Sequence, residues 1–175
     1  MRTGLRGASL LEGLVAVAVT ALLATLAPAG LSAWAAGQRL QAMTAQLETE
    51  LQHARALAVA RNQLVRLGLP DARGGRCVVL YSGPAGACGC AASLEPVCRP
   101  DGQMLRAVEI PPGLSVSPTG VARHFAFSGV HGTVSPTATL EVSHHDGRSL
   151  RLVVNLMGRI RACAVGGAWA GHPAC

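Results

Sequence analysis

From Gly13 to Gln38 the chain carries no charged residue for 26 consecutive positions, most of them Ala, Leu and Val. As a helix rising 1.5 Å per residue the run would be about 39 Å long, and about 20 apolar residues suffice to cross a bilayer core. It therefore predicts a helix long enough to span a membrane. Arg2 and Arg6 precede the run, Glu12 stands at its start and Arg39 ends it. Basic residues ahead of an apolar helix hold that end in the cytoplasm, so the remaining chain would be exported. Pro28 and Gly30 fall inside the run and predict a kink, because proline removes a backbone hydrogen bond from a helix.

An ordinary secretory signal peptide is one reading, with Ala33-Trp34-Ala35 or Ala36-Gly37 as the small-residue cleavage site. Glu12 argues against it. A carboxylate costs roughly 2.5–3.5 kcal/mol at mid-membrane depth and less near the interface, a cost for which a plain signal peptide has no use. Gly7-Ala8 followed by an apolar run with Glu12 resembles the class III signal of type IV pilins and type II secretion pseudopilins. The resemblance implies cleavage by a prepilin peptidase between Gly7 and Ala8, methylation of the new amino terminus, and a single pass of the inner membrane with a periplasmic C-terminal domain. Ala8 departs from the phenylalanine or methionine usual at the first mature position. Glu12 becomes the fifth mature residue, as the family pattern requires. In a filament it would pair with a neighbouring subunit's amine, which offsets the burial of both charges.

Beyond Arg39, Leu40, Met43, Leu47, Leu51, Ala54, Ala58 and Val65 recur mainly at spacings of three, four and seven, while Gln46, Glu50, Gln52 and Arg55 fall mostly elsewhere. That is the period of an amphipathic helix. One helix is expected from about Leu10 to about Asn62. The rest alternates between β-prone segments and Gly/Pro breaks. Strands are expected at Arg76–Tyr81, Gln103–Ile110, Leu114–Val116, Ala122–Phe127, Thr137–His144 and Leu150–Met157 or beyond. A loop is expected over Gly83–Cys90, and Asp146-Gly147 marks a hairpin tip. The fold class is therefore α+β. A long N-terminal helix, with its first half spanning the membrane, packs on an antiparallel sheet. Residues 1–7 are a leader, 8–38 the transmembrane and filament-core helix, 39–66 its amphipathic half and 67–175 a periplasmic β-rich domain. At 175 residues this is a single domain's worth of chain.

The segment Leu51–Leu67, Phe127-Ser128-Gly129 ahead of a hairpin, and Asn155-Leu156-Met157-Gly158-Arg159-Ile160-Arg161 resemble minor pseudopilins of the GspH/FimT group. The resemblance implies a pilin-like fold, other pilin or pseudopilin subunits as partners, and assembly into a type IV pilus or a type II secretion pseudopilus. In the FimT-like branch the Gly-Arg-x-Arg motif is associated with DNA binding in natural transformation, which carries over to Gly158, Arg159 and Arg161. Charge alone adds Arg148 and Arg151. The stretch from His144 to Arg161 has four arginines and one acid, and closely spaced arginines hold successive phosphates of double-stranded DNA without reading its bases. A solvated, arginine-rich sheet face is the competing reading, as all fifteen basic residues are arginine. The alternative function is a structural pseudopilin of a type II secretion system that binds no DNA.

Six cysteines, Cys77, Cys88, Cys90, Cys98, Cys163 and Cys175, all follow the apolar run. An even count in an exported domain points to disulfides, for which six cysteines allow fifteen complete pairings. Cys163 and Cys175 bracket a glycine-rich tail and are expected to pair. Cys88 and Cys90 are expected to take different partners. A zinc site is disfavoured, since Cys88-Gly89-Cys90 is too tight for a zinc knuckle. No metal, no cofactor and no catalytic residue is expected: there is neither a nucleophile elbow nor a phosphate-binding loop.

Overall fold

The computed structural model describes residues 9–70, 76–90, 95–119 and 124–175, without the side chains at 25–29. One helix, α1, runs from Leu10 to Arg61. Ser9 starts it: the Ser9 hydroxyl accepts the Glu12 backbone N–H at 3.3 Å, satisfying one of the donors that every helix leaves open at its first turn. Glu12 thus sits at the third helical position, where its negative charge suits the positive end of the helix dipole. The other end is closed by Asn62 in the left-handed region, at φ 48°. The Gln63 N–H donates to the Ala58 carbonyl at 3.0 Å and the Asn62 N–H to the Val59 carbonyl at 3.2 Å. Together these form a Schellman cap.

Two compact units divide the chain, Met1–Ala36 and Gly37–Cys175. In the first, the helical residues 10–24 and 30–34 are exposed, among them Leu10, Leu11, Leu14 and Val15. Among the described residues no helix is long and apolar enough to cross a membrane. The expected membrane-spanning first half, the transmembrane helix and the single-pass inner-membrane topology are corrected on that finding. Freedom from charge over 26 positions, which include Thr20, Pro28, Gly30, Ser32 and Gln38, is a weaker property than continuous apolarity over a full span.

In the second unit, α1 buries Leu40, Met43, Leu47, Leu51, Ala54 and Ala58, which form one stripe at helical spacing. Two antiparallel sheets pack around that stripe. The first has the order β5-β2-β1-β7-β8, built from β1 (Val65–Gly68), β2 (Cys77–Ser82), β5 (Gln103–Glu109), β7 (His124–Phe127) and β8 (Val134–Ser135). The second has the order β11-β10-β9-β6, from β6 (Leu114–Pro118), β9 (Ala138–His144), β10 (Ser149–Val154) and β11 (Ile160–Ala164). Alternation places Leu140 and Val142 of β9 with Leu150, Leu152 and Val154 of β10 in the core. Phe125 and Phe127 of β7 enter the same core, their ring centroids 5.9 Å apart edge to face.

Strand β2 is buried on both faces. Val78 and Leu80 join the main core, while Cys77, Val79 and Tyr81 form a second cluster under the hairpin of β3 (Cys88–Cys90) and β4 (Pro96–Cys98). Disulfides Cys77–Cys90 and Cys88–Cys98 tie this hairpin to β2 and to itself, and the Tyr81 hydroxyl accepts the Gly86 N–H at 2.9 Å. The segment expected as a loop over Gly83–Cys90 therefore ends in a strand, which four of the six cysteines help to anchor.

The last expected strand is corrected. It stops at Val154, and Asn155 to Gly158 reverse the chain into β11. The apolar alternation continues across the break, which hid it: Leu156 keeps the phase of Leu152 and Val154 yet lies exposed in the turn. Short β1 and β8 were also unexpected. Positions 122 and 123 of the expected strand at Ala122–Phe127 lie outside the described residues, as do Gly7 and Ala8. Leu51 is fully buried, so Leu51→Ala is expected to lower the unfolding free energy by about 2–5 kcal/mol. In a urea titration the midpoint falls while the slope is unchanged.

Candidate functional site

The hairpin of β10 and β11 carries the arginines that the sequence singled out, and pairing sorts them. Strand register sets Arg151 opposite Glu141 on β9, and its Nε lies 2.9 Å from Glu141 Oε2. Glu141 lies outside the 144–161 stretch in sequence, so a linear count of charge missed the neutralisation. Arg148, at the β9–β10 turn, holds Asp146: its Nε donates to Asp146 Oδ2 at 2.8 Å and its backbone N–H to Oδ1 at 3.1 Å. The same guanidinium lies 5.5 Å over the Trp169 ring, within cation–π range.

Asp146 also faces the buried His144, whose Nδ1 is 3.1 Å from Oδ1. The Arg148 side-chain hydrogen bond, chiefly, holds the Asp146 carboxyl well below the usual carboxylate range. Arg148 and Arg151 are thus committed to structural pairs.

The tail beyond β11 returns to α1. Cys163 pairs with Cys175, closing a loop whose cross-link contributes about 3 kcal/mol in the chain-entropy account. Gln41 Nε2 donates to the Ala170 carbonyl at 2.7 Å. A Cβ added at Gly37 would lie 3.1 Å from an Arg148 guanidinium nitrogen and 3.3 Å from the Trp169 ring. The disulfide thus seats Trp169 between the hairpin tip and the helix.

Arg159 and Arg161 are exposed and have no acidic partner among the described residues. Arg159 belongs to the β10–β11 turn, with its N–H donated to Asn155 Oδ1 at 2.9 Å. Arg161 stands on β11 opposite Val153. Gly158 is buried and serves packing. Its φ is +73°, and a Cβ there would lie 2.3 Å from the Gly132 carbonyl oxygen and 2.9 Å from Arg55 Nε. Arg55 on α1 donates Nε to that same carbonyl at 3.0 Å. Gly158, Gly132 and Arg55 therefore lock the turn against the helix, a role that the glycine-arginine motif did not reveal in sequence. Among the described residues no group of His, Cys, Asp and Glu is placed to hold a metal.

A long helix whose second part packs on two antiparallel sheets, with a basic hairpin and a disulfide-closed tail, defines a pilin-like subunit. A family model described as type II transport protein GspH matches residues 43–158, and the chain belongs to that family. It is a minor pilin or pseudopilin, a subunit of a type IV pilus or type II secretion system and a structural component, not an enzyme.

The solved type IV minor pilin FimU of Pseudomonas aeruginosa is similar in fold, with a TM-score of 0.55 and 20% identity over 75% of this chain and 96% of that one. A second crystal form of it gives 0.54 at 21% identity, over 74% and 100%. The minor pseudopilin EpsH of the Vibrio cholerae type 2 secretion system gives 0.50 at 14% identity, over 73% and 98%. No curated protein sequence matches the chain. The expectation of DNA binding is corrected to its alternative, a structural subunit, which the family match supports better, and two of the four arginines singled out for DNA, Arg148 and Arg151, are already paired.

Two consequences are measurable. Gly158→Ala is expected to cost about 2–4 kcal/mol, because it adds a Cβ to a left-handed residue packed on backbone, while Arg159→Ala stays within about 0.5 kcal/mol. Thermal unfolding of both variants checks this. Asp146 has a folded-state pKa below its unfolded value, so its contribution is complete above about pH 3.9 and is lost as pH falls towards the folded value. A carboxyl-carbon NMR titration should find Asp146 ionised below that pH, and Arg148→Gln should return it towards the ordinary range.

Proposed function

We propose that the chain is a structural minor pseudopilin of a type II secretion system and that it works by packing with other pseudopilin subunits, without binding DNA. The observation that carries this reading is the family match to type II transport protein GspH over residues 43–158, which takes in most of the second unit. A second reading, a minor pilin of a type IV pilus, is favoured by the likeness to FimU. That likeness is of fold alone.

The exposed apolar side chains of the first unit support a subunit role. Leu10, Leu11 and Leu14 are 85%, 73% and 62% exposed, and a contiguous apolar helix face of this kind is unfavourable in water until another surface covers it. Equivalent helices of sister subunits are the natural cover. In such a bundle Glu12 would meet a neighbour's amino terminus if the chain is cut between Gly7 and Ala8 by a prepilin peptidase. The charge pair would then set the axial register between subunits, as buried polar groups do in coiled coils.

Deleting the gene in the source bacterium is expected to abolish export of type II secretion substrates while leaving DNA uptake unchanged. The wild-type gene should restore export. Intact secretion together with lost piliation would move the assignment to the type IV pilus.

A further inference from the structure

An open groove of about 850 Å³ follows the outer face of α1 beside the β10–β11 turn. Its floor is apolar: Ala56, Val59 and Ala60 from the helix and Ile160 from the start of β11. Its walls are basic or titratable to basic, with Arg55, His131 and Arg159 and no carboxylate. The groove is held open by the packing already described, in which Gly158 abuts Gly132 and Arg55. Along the chain its rim continues into Val130, Leu156 and Met157, which are 68%, 59% and 66% exposed. Exposed apolar groups gathered around a basic cleft mark an interaction surface.

We propose that this groove receives an acidic segment with an apolar face from a neighbouring, different subunit. The inference rests on the structural-subunit reading and names the kind of partner that reading requires. Three observations select the occupant. The apolar floor has nothing to offer a phosphate backbone, and of the arginines on the β10–β11 hairpin only Arg159 lines the groove, which disfavours nucleic acid. A second copy of the chain is also disfavoured. The net charge is +6, and four of the nine acidic residues, Glu50, Asp101, Glu141 and Asp146, are already paired with Arg106, Arg99, Arg151 and Arg148. An acidic, apolar-faced segment answers both the floor and the walls, its apolar side chains on Val59 and Ile160 and its carboxylates towards Arg55 and Arg159.

The test uses the full chain in mild detergent and three probes: a short amphipathic helical peptide of leucine, alanine and glutamate, its glutamine counterpart, and a random-sequence DNA duplex. The glutamate peptide should bind, and the glutamine peptide should bind about tenfold more weakly. Arg159→Glu and Val59→Asp should each weaken the glutamate peptide by about tenfold or more. Both positions are exposed, so unchanged melting temperatures separate lost docking from lost folding.

Equal binding of the two peptides, or indifference to Val59→Asp, overturns the proposal. So does a duplex that displaces the peptide, or self-association abolished by Val59→Asp. Complementation of the deletion strain separates the two readings. Failure of the wild-type gene to support secretion or piliation removes the subunit role. Full complementation by Val59→Asp and Arg159→Glu removes the groove alone.

Discussion

The second unit depends on burial of one helical stripe. Leu40, Met43, Leu47, Leu51, Ala54 and Ala58 leave water together, and each fully buried leucine contributes roughly 1.5–3 kcal/mol. Both sheets turn an apolar face to that surface, and the first also buries Cys77, Val79 and Tyr81 on its other side. The small residues Ala54 and Ala58 near the helix end leave room for the β1 strand that begins at Val65, straight after the Schellman cap. Gly129 packs on the same cap. A Cβ there would lie 2.5 Å from the backbone of Asn62 and Gln63, so the exit of the helix and the turn after β7 hold each other in place.

Charge is placed by the same frame. On the β9–β10 hairpin, antiparallel register brings Arg151 to Glu141 and the tight turn brings Arg148 to Asp146. Glu50, on the helix, is buried beneath Arg106 of β5 with 2.7 Å between Oε1 and Nε. A carboxylate so enclosed would be unstable without a cation on it, so Arg106 links β5, at the edge of its sheet, to the helix. What remains unpaired at the β10–β11 turn, Arg159, stands beside an apolar groove. The protein partner proposed for that groove accords with the family assignment as a structural subunit.

Much of this fold was legible in the sequence because the governing patterns are local. A 3.6-residue period from Leu40 to Ala58 predicted the buried stripe, and Asn62 was expected close to the helix end. Period-two alternation located β9 and the start of β10, and Asp146-Gly147 marked their turn. The apolar alternation failed after Val154, since a tight turn at Asn155–Gly158 preserves the phase while reversing the chain. Strands β3 and β4 were illegible for a different reason. They are short, rich in Gly, Cys and Pro, and held by the Cys77–Cys90 and Cys88–Cys98 cross-links more than by propensity.

The sequence by itself determined the helix, most of the strands, the family and the residues carrying charge, because each is written in neighbours a few positions apart. It did not determine which charges survive pairing, that Gly158 packs on Gly132 and Arg55, or that Ala56, Val59 and Arg159 line one groove. Those depend on contacts between residues separated by up to about a hundred positions, and such contacts exist only once the helix stripe has drawn both sheets onto a common core.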